Sequence, residues 1–127
     1  MNHIQSPRTC DQSIEQEIVA KGLTAPRVTP ADIEANIKQE VYFTADQGYD
    51  AAYSEVGFMV NSKAPKELSL LTFCVLVLQN GFTVTGESAC ASPENFDAKL
   101  GRKIARANAV NKMWPLMGYA LKEQLSK

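Results

Sequence analysis

The strongest constraint on what this chain can fold into is a turn. Asn80-Gly81 sits between two runs of strand-forming residues, LSLLTFCVLVL before it and FTVTGESA after it. Asn-Gly accepts the positive-φ positions of a tight hairpin, so a β-hairpin about this dipeptide is expected. A two-residue loop would set Gln79 opposite Phe82, Val77 opposite Val84 and Val75 opposite Gly86. The first strand is apolar on both faces and wants cover on both, in the middle of a sheet or at an interface. The second alternates, with Phe82 and Val84 on one face and Thr83, Thr85 and Glu87 on the other. In that register its polar face lies beside Cys74, Leu76 and Leu78, which suits a carboxylate only where the surface is wet or forms a pocket.

Helical patterns flank the hairpin. Residues 1–10 are polar and without period, and are expected to be a disordered tail ahead of a single domain over 11–127. Asp11 or Ser13 can cap a short helix in which Ile14, Ile18 and Val19 share a face, with Gly22 as its stop. Thr29 as N-cap, Pro30 at the first position and Asp32 in the first turn start a second helix, whose stripe would be Ile33, Ile37 and Val41. Tyr42-Phe43-Thr44 begins a strand. Residues 45–67 read as a long variable loop with a short strand at 56–60. After the hairpin, Ser92-Pro93-Glu94 starts a long helix to Gln124 with the stripe Phe96, Leu100, Ile104, Ala107, Val110, Trp114, Met117 and Leu121. Pro115 should kink or divide it. The expected class is α+β: an antiparallel sheet with the Asn-Gly hairpin, packed by a short N-terminal helix pair and a long kinked C-terminal helix.

Charge separates along the chain although the net value is −1, which argues against bulk capture of DNA. Residues 11–56 hold nine acids against three bases, whereas 98–122 hold six bases and no acid. Asn95, Lys99, Arg102 and Arg106 fall on one flank of the last helix, and Asn108 and Lys112 on the other. A solvated polar flank is the ordinary explanation for such a row. Against it, the flank lacks the acidic i,i+4 partners that usually balance surface cations. Phe96 reads first as a core residue; beside an asparagine and arginines it is also the combination that stacks and reads a nucleobase.

Catalytic readings are poorer. Cys90 at a strand-to-helix junction has no base to activate it except His3 in the tail. Glu87 and Glu94 could pair as acid and base, but little singles them out among 14 acids. Gly81, Gly86 and Gly101 form no phosphate loop, three cysteines without paired spacing make no zinc site, and no cofactor motif is present. The longest apolar run, Leu70–Leu78, is too short to cross a bilayer, and a cytoplasmic protein is expected.

The segments PRVTPADIEANI, LTFCVLVLQNGFTVTGESACASPENFD and GRKIARANAVNKMWPLMGYALKEQL resemble a family of small phage proteins over Ala25–Tyr42 and Leu70–Leu125. That family includes the first class of Thoeris anti-defence proteins, sponges that sequester the cyclic ADP-ribose isomer made by bacterial TIR-domain enzymes. Members are also associated with binding cyclic oligonucleotides of CBASS defence at separate sites. The resemblance implies a non-enzymatic protein in the host bacterial cytoplasm, a dimer assembling into a hexamer, with nucleotide held between protomers. It implies an aromatic, an asparagine and arginines as ligand contacts, for which this chain offers Phe96, Asn95 or Asn108, and Arg102 with Arg106. Arg27 would contribute from a neighbouring protomer, and Thr83, Thr85 and Glu87 are ribose-contact candidates. A phage interaction protein that grips a host protein through the 45–67 loop, with no nucleotide site, is the alternative.

Overall fold

The computed structural model describes residues 11–53 and 63–127. The expected tail at 1–10 and strand at 56–60 lie outside these residues. The architecture is α+β: a three-stranded antiparallel sheet in the order β1-β2-β3, short N-terminal helices and a long C-terminal helix. The elements are α1 (Asp11–Ala20), α2 (Pro30–Ala35), β1 (Ile37–Thr44), α3 (Ala45–Tyr53), β2 (Leu71–Leu78), β3 (Thr83–Ala89) and α4 (Ala98–Leu125). Short 3₁₀ turns at Lys66–Leu70 and Pro93–Asn95 lead into β2 and towards α4.

α2 starts as its sequence dictates. Asp32 N–H donates to Thr29 Oγ1 at 3.1 Å while Thr29 N–H donates to Asp32 Oδ2 at 2.9 Å, a complete capping box. It ends much earlier than the periodic stripe implied. Ile33 is buried in it, but Ile37 and Val41 belong to β1. The sheet overrides the helical period here: Gln79 N–H donates to both the Asn36 carbonyl and its side-chain oxygen, turning the chain onto β2. The following IKQEVYFT is rich in β-branched and aromatic residues. β1 thereby supplies the second edge that the doubly apolar β2 requires.

Two further expectations are corrected. Residues 45–53 form a helix, not a loop. At its start Thr44 N–H donates to Gln47 Oε1 at 3.0 Å, one half of a capping box, while the Thr44 hydroxyl donates to Asp46 Oδ1. The hairpin loop has three residues and not two. Leu78 N–H donates to the Phe82 carbonyl at 2.8 Å, Gly81 takes φ +90, and Leu76 faces Val84. One extra loop residue shifts the register by one and exchanges partners across the strands. Thr83, Thr85 and Glu87 therefore lie opposite Val77, Val75 and Phe73, while Val84 and Gly86 lie opposite Leu76 and Cys74.

One sheet face is covered by α4. Cys74, Leu76, Leu78 and Val84 pack with Ala105, Ala109, Val110 and Met113, and Ile33 closes the end of the core. Small residues line this seam because the helix comes very close. A Cβ built on Gly86 would lie 2.2 Å from the Ala105 carbonyl oxygen and 2.3 Å from Ala109 N. The close approach also rotates the helix from its predicted stripe: Leu100 is exposed, while Gly101, Ala105 and Ala109 are buried. α4 is continuous through Pro115 and begins at Ala98, after Asp97, whose carboxylate accepts from Leu100 N–H at 3.0 Å as the N-cap. Its start is thus later than the Ser92 implied by sequence. The opposite sheet face carries Phe73, Val75 and Val77 half-buried and Val41 and Phe43 more exposed, with the rings of Phe43 and Phe73 5.5 Å apart.

Candidate functional site

The cationic flank of α4 is not uniform. Arg106 reaches across to α2 and β1, donating to Glu34 at 2.7 and 3.1 Å and to Glu40 at 3.0 Å. Glu40 also accepts from the Tyr42 hydroxyl at 2.6 Å, and Tyr42 stands opposite Cys74 in the sheet. Hydrogen bonds from Arg106 and then Tyr42 hold the Glu40 carboxyl below its ordinary range. Burial, followed by the bond to Glu40, raises the Tyr42 phenol. Burial also pushes the Cys74 thiol up to about 11. The two glutamates keep Arg106 firmly protonated. This chain of groups clamps α4 to α2 and β1, and Arg106 is engaged within it.

These partners were hidden from sequence because they lie 72 and 66 residues from Arg106. Counting only i,i+4 neighbours left the arginine uncompensated. The usable signal was the segregation itself, an acidic first half facing a basic last helix. Arg27 is committed in the same way, its two terminal nitrogens meeting Glu15 at 2.6 and 2.9 Å. The hydrogen bond to Arg27 lowers the Glu15 pKa, and the bond to Glu15 raises that of Arg27.

Other candidates fall in separate places. Asn108 donates to the Glu87 carbonyl at 2.8 Å, and Lys112 approaches Thr85 Oγ1 at 3.4 Å. Both interactions reach from α4 to β3, where they guard the sheet margin. Glu87 and Thr85 have exposed side chains on the sheet face away from the core. Asn95 closes the 3₁₀ turn, exposed, and Phe96 follows it half-buried, ahead of α4 and not on its stripe. Lys99, Arg102 and Lys103 are exposed at the beginning of α4 and form no ion pair among the described residues. In a single chain, Asn95, Phe96 and Arg102 therefore share one end of α4, while Arg27 lies beside its second half.

Two hollows mark these regions. One of about 660 Å³ is bounded by Asp46, Asp50, Lys63, Lys66, Glu67 and Ser69, with Pro93 on its rim. The other, about 460 Å³, lies between Arg27, Ala35, Asn36, Gln79, Met117 and Leu121. Among the described residues no group of His, Cys, Asp and Glu could hold a metal ion. No described helix is long and apolar enough to cross a membrane. Cys90 is buried, its thiol donating to the Ser92 carbonyl at 3.2 Å.

Compared with known proteins, residues 28–125 match the profile of the Phage protein (N4 Gp49/phage Sf6 gene 66) family. No curated protein and no solved structure matches the chain.

Proposed function

The chain belongs to this phage protein family, and on that premise we propose that it is an anti-defence sponge that binds a cyclic ADP-ribose-type signal and keeps it intact. Its resemblance to the Thoeris anti-defence proteins supports the choice of ligand. The observation that carries it is the start of α4, where Lys99, Arg102 and Lys103 stand exposed and without ion pairs among the described residues. Lys99, in the first turn, opposes the helix dipole, and a phosphate bound beside these cations would offset that opposition. Asn95 and Phe96 immediately precede them and offer an amide and an aromatic face to a base.

In this proposal Arg102, with Lys99 and Lys103, meets the diphosphate of one ligand, and Arg27 of a neighbouring copy completes the site. Homo-oligomerisation would cover the half-exposed Val75 and Val77 and the more exposed Val41 and Phe43. Cyclic di- or trinucleotides of CBASS would occupy a separate site, and the host bacterial cytoplasm would be the place of action. Arg106, held by Glu34 and Glu40, serves the fold in the free protein.

Calorimetry with cyclic ADP-ribose isomers, followed by mass spectrometry of nucleotide released on heating, tests this. Expected are saturable heat, unchanged ligand mass, and weakened binding by Arg102→Ala at unaltered oligomer size. Chemically altered nucleotide would indicate an enzyme. Absence of heat with every cyclic nucleotide would leave the host-protein alternative.

A further inference from the structure

The 460 Å³ groove is bordered by an arginine that belongs to two structures at once. Arg27 lines the groove, and its guanidinium is occupied by Glu15 of α1. α1 itself is weakly held. It has no buried residue, and Ile14 and Val19 are 49% and 55% exposed. Besides the Glu15–Arg27 pair, Asp11 Oδ2 accepts from Trp114 Nε1 at 3.1 Å. That second contact is incomplete, since Asp11 Oδ1 is buried with no hydrogen-bond partner among the described residues. A cavity of about 70 Å³ remains among α1, Val28, Pro30 and Trp114. Gly22, at φ +69, ends the helix, and exposed residues 23–26 connect it to the body. Few buried contacts and a solvent-exposed connection are the physical basis of low local stability.

The groove beyond Arg27 has a mixed lining. Val28, Met117 and Leu121 give it apolar walls, and Asn36 and Gln79 bring carboxamides. Asn36 Nδ2 donates to the Met117 thioether at 3.5 Å, a weak acceptor that a ligand carbonyl or ring nitrogen would improve on. Asp32 also borders the groove, with one oxygen engaged by Thr29 N–H. Its charge keeps Arg27 partly compensated when Glu15 leaves.

We propose that α1 is an autoinhibitory strap: Glu15 stands in for a ligand anion at Arg27, and α1 must open before Arg27 can take a phosphate-bearing molecule at the groove. This builds on the sequestration proposal above, because the anion there is that of the signal nucleotide. Binding and strap opening are then coupled, and the free-energy difference between docked and open α1 lowers the apparent affinity.

The chain's single tryptophan, Trp114, makes the test direct. In the full-length protein, hydrogen exchange of residues 11–20 and Trp114 emission are followed with and without inorganic pyrophosphate, for the parent, Glu15→Gln and Glu17→Gln. Among the described residues Glu17 pairs only locally, with Lys21 at 3.2 Å, and serves as the control. Expected are faster exchange in α1 than in β2, acceleration by pyrophosphate, and pyrophosphate affinity raised about 2- to 5-fold by Glu15→Gln alone, the range of one partly exposed ion pair. Exchange of α1 as slow as that of β2, or equal pyrophosphate affinity of the parent and Glu15→Gln, overturns the strap. A parallel titration with cyclic ADP-ribose separates the two proposals. If that nucleotide binds parent and Glu15→Gln alike, the strap fails and sequestration stands. If Glu15→Gln tightens pyrophosphate while no cyclic nucleotide binds, the strap stands and sequestration fails. No binding of either probe overturns both.

Discussion

Replacing Gly86 by alanine should break the protein at its tightest seam. The added carbon would sit 2.2 Å from the Ala105 carbonyl oxygen, 2.3 Å from Ala109 N and 2.9 Å from Ala109 Cα. Ordinary C···O contacts begin near about 3.3 Å, so roughly 1 Å must be absorbed between β3 and α4. Neither neighbour is a side chain that can turn away; both belong to helix backbone. Separating the layers by that amount loosens Cys74, Leu76, Ala105, Ala109 and Met113, all fully buried. A gap of 0.5–1 Å forfeits about a quarter to a half of each dispersion contact. The cost should therefore exceed the usual overpacking range of about 1–3 kcal/mol and reach about 3–5 kcal/mol. Against a total stability of about 5–15 kcal/mol, that lowers Tm by roughly 10–20 °C. Gly81→Ala is the matched control: its φ is +90, but nothing among the described residues lies within 4 Å of the added carbon, so only the conformational cost of about 1–2 kcal/mol applies. Urea unfolding and calorimetric melting of both variants measure the difference. A Gly86→Ala protein melting within about 3 °C of the parent would refute the close-approach argument.

Arg106→Ala should lose about 1–3 kcal/mol in urea titration because Glu34 and Glu40 are left facing each other, with Arg106→Lys recovering only part. Glu40 has a depressed pKa in the folded protein, so its contribution is present above the unfolded value of about 4.3 and is lost as pH falls through the lower folded value. Tm measured from pH 7 to pH 2 should show the gap between parent and Glu40→Gln closing below about pH 4; a gap constant over that range would contradict the Arg106 clamp. Cys74, with its thiol at about 11 and no exposed surface, should resist alkylation at pH 8 in native protein and label on unfolding, as read by peptide mapping. Rapid native labelling of the Cys74 peptide would mean that the core opens there.

Much of the fold was legible where local chemistry and tertiary packing agree. The Thr29–Asp32 capping box, the stop at Gly22 and the existence of the hairpin all follow from neighbouring residues. β1 was not legible as a whole, because Ile33, Ile37 and Val41 have helical spacing and only pairing with β2 breaks the period. α3 was only partly legible: Thr44 and Gln47 carry half of a helix start signal, and the glycine and weak period that follow do not read as a helix. The hairpin register turned on one loop residue, which Asn-Gly alone does not decide. At the candidate site, the cationic row was visible and its division was not. Arg106 and Arg27 find acids through tertiary contact, and Lys99, Arg102 and Lys103 find none among the described residues.

The arrangement of strands also sets an order of events in time. β2 and β3 are joined by a tight hairpin and α4 follows closely, so their contacts need only short chain closures. β1 must close from Thr44 to its partner Thr72 across the intervening α3 and connecting segment. Local contacts form before those that require long loops, so a β2–β3–α4 nucleus is expected, with β1 and α2 docking onto it afterwards. The Arg106 bonds to Glu34 and Glu40 would then be late contacts. Strengthening them should slow unfolding and leave the folding rate nearly unchanged, which makes the clamp a brake on loss of the native state and not a guide towards it.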